Sequence, residues 1–171
     1  PVDPASGGAK GFAVEVCCGS AGLTAELTRC DLEAIGIDWH GNDHKLKGPA
    51  VLLDLTTKTG GELLLKVLCH PRLVVAHFGV PCGTASRARE VPLTARQRVQ
   101  GYVEPPVLRS EDFPLGFPDL QDRLPRQYQR VVKANRIYEL CAHAIRLLHA
   151  RRIPFSLENP GRSLLWWIPF I

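Results

Sequence analysis

The chain has 171 residues, of which 45% are hydrophobic and 22% are charged. This composition is ordinary for a globular domain with a sizeable core, and it excludes a disordered chain. The formal charge of +4 is compatible with a nucleic-acid partner but does not require one.

The cysteine content and the apolar runs of the sequence indicate the cellular compartment of the protein. The six cysteines are scattered, and none belongs to a repeated pair of the kind that binds zinc, so we expect reduced thiols and no metal site. The first residues lack the apolar core of a signal peptide, and the apolar runs are too short to span a bilayer. These features predict an intracellular protein without a membrane partner, nuclear if its source is a eukaryote.

The two ends of the sequence favour a piece of a longer protein. The sequence contains no methionine, so an initiator residue is absent, and it stops within an apolar stretch. We therefore expect a fragment or an excised domain.

Apolar runs closed by turn residues alternate with helical segments in the first half of the chain. The predicted elements, in chain order, are strand 12–16, helix 23–30, strand 34–37, strand 51–53, helix 62–69 and strand 73–78. We interpret the turn-forming residues Thr59, Gly60 and Gly61 as the end of the preceding segment, before the second helix begins. Alternation of this kind favours a parallel sheet with helices on its faces.

The pattern breaks down over residues 79–125, which are rich in proline and show no periodicity. A loop this long inside a compact domain is usually functional, and we expect a mobile, partly ordered insertion. A helix is predicted at residues 127–150 and a fifth strand at residues 155–157. The apolar stripe of that helix comprises Val131, Ala134, Ile137, Cys141, Ala144, Ile145 and Leu148.

Polar or reactive residues follow all five predicted strands. In a parallel sheet, ligands bind beyond the carboxyl ends of the strands, so these residues are expected to share one edge. In chain order they are Glu15 with residues 17–22, Asp38 with Trp39, Asp54, Pro81 with Cys82, and Glu158 with Asn159.

The first two of these groups each allow two interpretations. Gly19 and Gly22 would let the backbone approach a ligand closely, or they form an ordinary turn. The dinucleotide pattern G-x-G-x-x-G is not met, because Cys17 stands at its first glycine. Asp38 could accept hydrogen bonds from ribose hydroxyls while Trp39 stacks on adenine. Alternatively, the pair is a solvated turn aspartate and a core tryptophan.

The later groups are equally open when the residues are considered alone. Asp54 could bind an adenine amino group or cap a turn. Cys82, in a turn after a buried strand, could be a thiolate nucleophile or an inert packed thiol. Glu158 could donate a proton, or it is a solvated carboxylate at the end of a strand.

In their order along the chain, these segments resemble the motifs of the cytosine-5 DNA methyltransferases. Residues 15–22 (EVCCGSAG) resemble the first motif, a loop at the methionine side of the cofactor site. Asp38 and Trp39 match the second motif, in which an acid binds the ribose and a tryptophan packs on adenine. Asp54 is similar to the acid of the third motif, which holds the adenine amino group.

Two further segments resemble the motifs that carry the chemistry. Residues 79–86 (GVPCGTAS) resemble the fourth motif, Pro-Cys-Gln-x-x-Ser, with Cys82 at the nucleophile. Residues 155–160 (FSLENP) resemble the sixth motif, Glu-Asn-Val, with Glu158 at the acid that binds the base. Five motifs in this order are a specific signal, and they span most of the chain.

The sequence departs from the family pattern in several ways. Cys17 replaces a phenylalanine of the first motif, and Gly83 replaces the glutamine after the nucleophile, which predicts a looser turn. The proline-rich insertion lengthens the gap between the fourth and sixth motifs. Within it, residues 106–110 and 114–116 resemble methyltransferase-like reading frames of mobile elements. The later motifs of the family have no counterpart in this sequence.

The resemblance implies a Rossmann-like fold of the S-adenosylmethionine-dependent methyltransferases, with a mostly parallel sheet that is incomplete at the C terminus. Residues 1–171 would form one partial catalytic domain with a loop insertion at about residues 79–125. S-adenosylmethionine would be the cofactor. Its expected ligands are Glu15, Cys17, Cys18, Gly19, Gly22, Asp38, Trp39, Asp54 and Pro81.

The implied reaction is transfer of a methyl group to carbon 5 of cytosine in DNA through a covalent adduct on Cys82, with Glu158 at ring nitrogen 3. Asn159 would shape the pocket, and Ser86, Arg87 and Arg89 would contact phosphates. From the residues alone, the arginines equally fit a solvated loop. Three alternatives remain: an inactive fragment that only binds the cofactor, an RNA cytosine methyltransferase, and a nicotinamide-dependent oxidoreductase. The oligomeric state is open.

Overall fold

The structure, a computed structural model, describes residues 10–171. These residues divide into two compact units: residues 10–80 with 143–158, and residues 81–142 with 159–171. The strands are β1 Phe12–Val16, β2 Glu33–Asp38, β3 Ala50–Leu52, β4 Leu73–Phe78 and β5 Phe155–Leu157. The helices are α1 Gly22–Arg29, α2 Lys58–Leu68, α3 Ala95–Val99, α4 Leu120–Arg123 and α5 Pro125–Ala150, with 3₁₀ helices at Arg87–Glu90 and Leu164–Trp167.

The first unit is an α/β fold built on a five-stranded parallel sheet with the strand order β3-β2-β1-β4-β5. β1 lies in the middle of the sheet, and its Ala13, Val14 and Val16 are buried. Central strands of parallel sheets are covered on both faces, so they show continuous apolar runs instead of alternation. The strand order agrees with the doubly wound Rossmann-like arrangement.

The crossover helices cover the two faces of the sheet. Connections between parallel strands are almost always right-handed, and the chain moves in opposite directions along the sheet from β1 to β2 and from β3 to β4. α1 and α2 therefore cover opposite faces. After α5, the Arg151 guanidinium donates hydrogen bonds to the carbonyls of Leu68 and His70, which fixes this end of the chain beside the end of α2.

Sequence reasoning located all five strands. The bounds of β1, β4 and β5 are confirmed, β2 is one residue longer at each end, and β3 is displaced by one residue. The predicted start of α2 at residue 62 is wrong, because the helix begins at Lys58 and includes Gly60. The hydroxyl of Thr57 caps it by accepting a hydrogen bond from the Gly60 amide at 3.0 Å. Gly60 is required there because a Cβ atom would lie 2.0 Å from the carbonyl oxygen of Asp54.

The second unit has a small core of its own, formed by Leu108, Leu120 and Val131. Half-buried side chains of Phe117, Leu124 and Tyr128 pack against it. The segment interpreted from the sequence as a loop thus contributes buried leucines, and it contains α3, α4 and one 3₁₀ helix. These elements have only four or five residues, too few to produce a detectable apolar period.

α5 begins at Pro125, two residues before its predicted start, because proline is favoured in the first turn of a helix. Its buried residues include Val131 and Tyr138, whereas Ile137 of the predicted stripe is only half-buried. The tyrosine was missed because a phenol is polar at its tip. That tip is satisfied, since the Tyr138 hydroxyl donates a hydrogen bond to the Pro81 carbonyl at 2.6 Å.

No helix among the described residues has the length and apolar character needed to cross a membrane. The same residues contain no cluster of side chains that could hold a metal ion.

Gly60→Ala tests the close approach at the start of α2. Alanine would gain about 1 kcal/mol of helix propensity, but its methyl group would meet the Asp54 carbonyl. We expect the free energy of unfolding to fall by about 2 kcal/mol in urea denaturation. Gly161→Ala is the matched control, because a Cβ atom there meets nothing within 4 Å. Equal stability of the two variants would contradict the packing described here.

Candidate functional site

The strand order reverses between β1 and β4, and this point defines the candidate site of the first unit. In open α/β sheets, ligands bind in the crevice beyond the carboxyl ends of the strands at such a reversal. The Gly79 amide donates a hydrogen bond to the Val16 carbonyl at 2.9 Å. A Cβ atom on Gly79 would lie 3.3 Å from the Cys17 carbonyl oxygen, so a larger residue would crowd this edge.

The turn after β1 has an unusual backbone. Cys17, Gly19 and Ala21 have φ values of 57°, 52° and 53°, and the residues between them do not share this sign. The amides of this turn are used within the protein: Cys18 donates to the Ile37 carbonyl at 3.2 Å and Ala21 donates to the Cys18 carbonyl at 2.7 Å. The left-handed conformation costs roughly 1–2 kcal/mol at each residue other than glycine. Strained backbone of this sort is concentrated at ligand-binding sites.

Glu15 anchors the turn from inside the sheet. Its side chain is buried in β1, and Oε2 accepts hydrogen bonds from the Thr24 amide at 2.7 Å and the Thr24 hydroxyl at 2.6 Å. The carboxylate therefore lies at the N-terminal end of α1, where the helix dipole favours negative charge. In this position Glu15 orients the turn through Thr24.

Asp38 joins the ends of β1 and β2. Its Oδ2 accepts a hydrogen bond from the Gly19 amide at 2.6 Å, and Oδ1 accepts one from the Trp39 amide at 2.8 Å. Trp39 is 57% exposed, so it is not the core tryptophan that one interpretation of the sequence allowed. The structure brings the first two sequence motifs together here, with an acceptor beside an open aromatic face.

Cys18 packs under the same turn and is unsuited to nucleophilic chemistry. Its sulfur lies only 2.7 Å from the position that a Cβ atom on Gly36 would take, which explains the glycine in β2. Burial raises the pKa of the Cys18 thiol to about 11, and the carboxylates of Asp38 and Glu15 add to the rise. The thiol therefore stays protonated at neutral pH.

Asp54 organises the turn between β3 and α2. Its Oδ1 accepts hydrogen bonds from the amide of Thr56 at 2.9 Å and from its hydroxyl at 2.6 Å. This is the turn-capping role that the sequence left open. A contact with adenine stays a prediction.

Cys82 belongs to the second unit and lies in a turn over residues 81–86, called the Cys82 loop below. The amides of Ala85 and Ser86 donate hydrogen bonds to the Cys82 carbonyl at 2.9 and 2.8 Å. The Gly83 carbonyl accepts from Arg89 Nε at 2.6 Å, which holds the position where the family has glutamine. The Cys82 side chain is half-buried.

Residues distant in sequence also hold the Cys82 loop. The Leu164 amide donates to the Ala85 carbonyl at 2.9 Å, and the Arg109 guanidinium donates to the Thr84 hydroxyl at 2.9 Å. With the Tyr138 bond to Pro81, three separate segments of the second unit hold the loop. The looser turn predicted from Gly83 is therefore not observed.

Three arginines surround the Cys82 loop. Arg109 is 1% exposed, and Arg130 Nη2 lies 3.9 Å from the position of a Cβ atom on Gly83. Burial lowers the pKa of Arg89, and the charge of Arg130 lowers it further. Within residues 10–171, none of the three forms an ion pair with a carboxylate. The loop therefore carries uncompensated positive charge, which suits an anionic group such as a phosphate.

Sequence reasoning named Arg89 but missed Arg109 and Arg130. Arg109 lies among prolines and resembles a loop residue, yet burial lowers the pKa of its guanidinium. Arg130 lies on the polar side of α5 and resembles a solvated helix residue. The only signal in the sequence is that each arginine lies near buried apolar residues. Such a pattern does not specify which loop the guanidinium approaches.

The other proposed phosphate contacts have partners of their own. Ser86 caps the 3₁₀ helix by accepting a hydrogen bond from the Ala88 amide at 3.2 Å. Arg87 pairs with Glu90 at 3.2 Å and also with Glu111. Arg87 is thus more neutralised than Arg89, and both contacts with phosphate stay predictions.

Glu158 directly follows β5 in the first unit, and its amide donates a hydrogen bond to the Phe78 carbonyl at 2.8 Å. Its side chain is exposed, and the next residue, Asn159, is buried within the second unit. Cys82 and Glu158 thus belong to different units, and a cleft shared by them stays a prediction.

Comparison of the chain with protein-family models, with curated proteins and with solved structures gives no match. The functional argument therefore rests on the residues and their geometry.

Arg109→Met tests the buried guanidinium. The variant keeps an apolar stem but leaves acceptors on Thr84, Pro114 and Asn135 without their donor. Each unsatisfied buried acceptor costs about 1–3 kcal/mol, and removing a desolvated charge returns part of that loss. We expect the free energy of unfolding to fall by about 2 kcal/mol in urea denaturation.

Arg136→Met is the control for this experiment, because Arg136 is an exposed residue of the same helix as Asn135. Its substitution should change stability by less than about 0.5 kcal/mol. An Arg109→Met protein as stable as the control would mean that the desolvation cost of the charge cancels its three hydrogen bonds, which contradicts the expected loss.

Proposed function

We propose that this chain is the catalytic part of a cytosine-5 DNA methyltransferase that uses S-adenosylmethionine. The main support is the hydrogen bond between the Gly19 amide and the Asp38 carboxylate, because it joins two motif segments at the carboxyl ends of β1 and β2. The parallel sheet is the scaffold that such a Rossmann-like fold requires.

The residues of the first unit fit the proposed cofactor. Asp38 is a carboxylate that ribose hydroxyls can approach as donors, and Trp39 offers an exposed aromatic face for adenine. The turn over residues 17–21 has the strained, left-handed backbone that is concentrated at ligand-binding sites. Gly79 leaves room beside this turn. When bound, S-adenosylmethionine supplies an electrophilic methyl group.

The residues of the chain prepare the cytosine ring. The target base leaves the stack and enters a pocket, as required of enzymes that act on a base. The Cys82 thiolate adds to carbon 6, while Glu158 hydrogen-bonds to ring nitrogen 3 and stabilises the charge that develops there. Carbon 5 thereby becomes nucleophilic. Once carbon 5 has accepted the methyl group, its proton would pass to solvent and the Cys82 sulfur would depart as the thiolate, which restores the aromatic ring.

The positive surroundings of the Cys82 loop support a nucleic-acid substrate. Among the described residues, Arg89 and Arg130 have no carboxylate partner, and Arg109 adds positive charge from the interior. Phosphate contacts of this kind position a nucleic acid without reading its sequence. The same chemistry would operate on RNA, so the substrate test includes both polymers.

Mechanism-based trapping tests the proposal. A 5-fluorocytosine oligonucleotide cannot lose the group at carbon 5, so the Cys82 adduct should accumulate when S-adenosylmethionine is present. We expect a covalent band with DNA in denaturing gels, its absence for Cys82→Ala, and its retention for Cys69→Ala, which removes an exposed thiol. A band that survives in Cys82→Ala, or no band from the full chain with either DNA or RNA, contradicts the proposal.

A second candidate is a module that binds S-adenosylmethionine without chemistry. One observation favours it. The proposed ribose and adenine ligands, Asp38, Trp39 and Asp54, all belong to the first unit, whereas Cys82 belongs to the second. Under this alternative the cofactor binds, but no 5-fluorocytosine adduct forms.

Calorimetric titration with S-adenosylmethionine tests cofactor binding itself. Asp38→Asn keeps an acceptor for the Gly19 amide but removes the charge offered to the ribose, and hydrogen bonds to charged groups contribute about 1.5–3 kcal/mol. We expect affinity to fall about tenfold or more. Asp43→Asn, at an exposed aspartate, should leave it unchanged. Equal affinity of both variants would remove Asp38 from the cofactor site.

A further inference from the structure

The second unit contains a cavity of about 350 Å³ whose lining includes none of the predicted cofactor residues. Its lining includes Arg87, Glu111, Arg162, Ser163, Trp166 and Trp167. The volume is within the range of small-ligand pockets, and the lining combines aromatic faces with guanidinium groups. Neither sequence motifs nor the proposed chemistry account for the two tryptophans.

The two tryptophans are held at the surface by a buried anchor. The 3₁₀ helix Leu164–Trp167 buries its leucines, whereas Trp166 and Trp167 are 42% and 53% exposed. Ser163 caps this helix by accepting a hydrogen bond from the Leu165 amide at 3.2 Å. The fold therefore presents two large apolar rings to solvent on a fixed turn, as expected of a binding surface.

The ring of Trp166 is fixed in a second way. Its Nε1 donates a hydrogen bond to the Pro160 carbonyl at 2.9 Å, so the polar edge of the indole is satisfied. A planar ring held in one orientation loses little conformational entropy when a second ring stacks on it. Stacking on such a platform accepts any base, because every base has an aromatic face.

The charges of the cavity favour an anion. Arg87 is neutralised by Glu111, whereas Arg162 forms no ion pair or hydrogen bond in the part of the chain that the structure describes. Arg87 also pairs with Glu90, so Arg162 is the lining guanidinium that is left available to an anion. An aromatic platform beside one available guanidinium matches a base linked to a phosphate.

The cavity is connected to the Cys82 loop by hydrogen bonds. The Leu164 amide and the Ser163 hydroxyl both donate to the Ala85 carbonyl, at 2.9 and 3.3 Å. Arg87 follows the loop directly in sequence. A ligand in the cavity would therefore lie against the frame that positions the proposed nucleophile.

We propose that this cavity binds one nucleotide of a single-stranded nucleic-acid segment, with its base stacked on Trp166 and Trp167 and its phosphate paired with Arg162. The assignment of this nucleotide as a neighbour of the target cytosine rests on the proposed function. The binding itself requires no cytosine and no methyl transfer.

Fluorescence anisotropy of a dye-labelled oligothymidylate tests the site without involving cytosine. Loss of one stacked base costs about 1–3 kcal/mol, so Trp167→Leu should weaken binding at least about fivefold. Trp167→Phe keeps a stacking face and should restore most of the affinity. Tyr102→Leu removes an exposed aromatic residue outside the cavity and should bind as the unchanged chain does.

The salt dependence separates stacking from charge. Neutralising one phosphate contact in a single strand lowers the slope of log affinity against log salt by about 0.7. Arg162→Gln should lower the slope by that amount, whereas Trp167→Leu should weaken binding with the slope unchanged. Arg126→Gln, which removes an exposed arginine outside the cavity, is the charge-matched control and should keep the slope.

Equal effects of Arg162→Gln and Arg126→Gln, or no effect of Trp167→Leu in a protein with an unchanged unfolding curve, would overturn the proposal. The trapping experiment keeps the two proposals apart. Formation of the 5-fluorocytosine adduct without any effect of the cavity variants overturns the nucleotide site alone. The expected pattern of variants without an adduct supports the nucleotide site and contradicts methyl transfer.

Discussion

The hydrogen bond from the Gly19 amide to the Asp38 carboxylate is the constraint on which the first unit depends. It closes a turn in which Cys17 and Ala21 have left-handed backbones, each costing roughly 1–2 kcal/mol. A hydrogen bond to a charged acceptor contributes about 1.5–3 kcal/mol, which is comparable to that strain. Glu15 holds the other side of the turn through Thr24. Two carboxylates thus maintain a backbone conformation that the chain alone would not favour.

Arg109 has the corresponding role in the second unit. Its guanidinium donates hydrogen bonds to the Thr84 hydroxyl, the Pro114 carbonyl and the Asn135 side chain. These three acceptors come from the Cys82 loop, the proline-rich segment and α5. A single buried cation therefore links a long segment of little regular structure to a helix through neutral acceptors. Burying the charge of Arg109 away from water lowers stability, but the hydrogen bonds of Arg109 give the Cys82 loop a defined shape.

The parallel strands could be predicted because burial on both faces leaves continuous apolar runs such as β1 and β4. The same topology explains why residues at strand ends, including Asp38, were located correctly before their contacts were known. The start of α2 could not be predicted, because Gly60 is set by the approach of the Asp54 carbonyl and not by local propensity. The partners of buried polar groups, such as Tyr138 with Pro81, depend on tertiary positions that no local pattern encodes.

All three tryptophans of the chain are exposed by 42–57%, and none belongs to the core. Intrinsic indole emission therefore originates from solvent-facing rings in the native protein. Loss of the core changes the polarity around these rings far less than it would around buried ones. The ultraviolet emission of this protein is consequently a reporter of its surface sites, whereas the state of its interior is read from backbone dichroism.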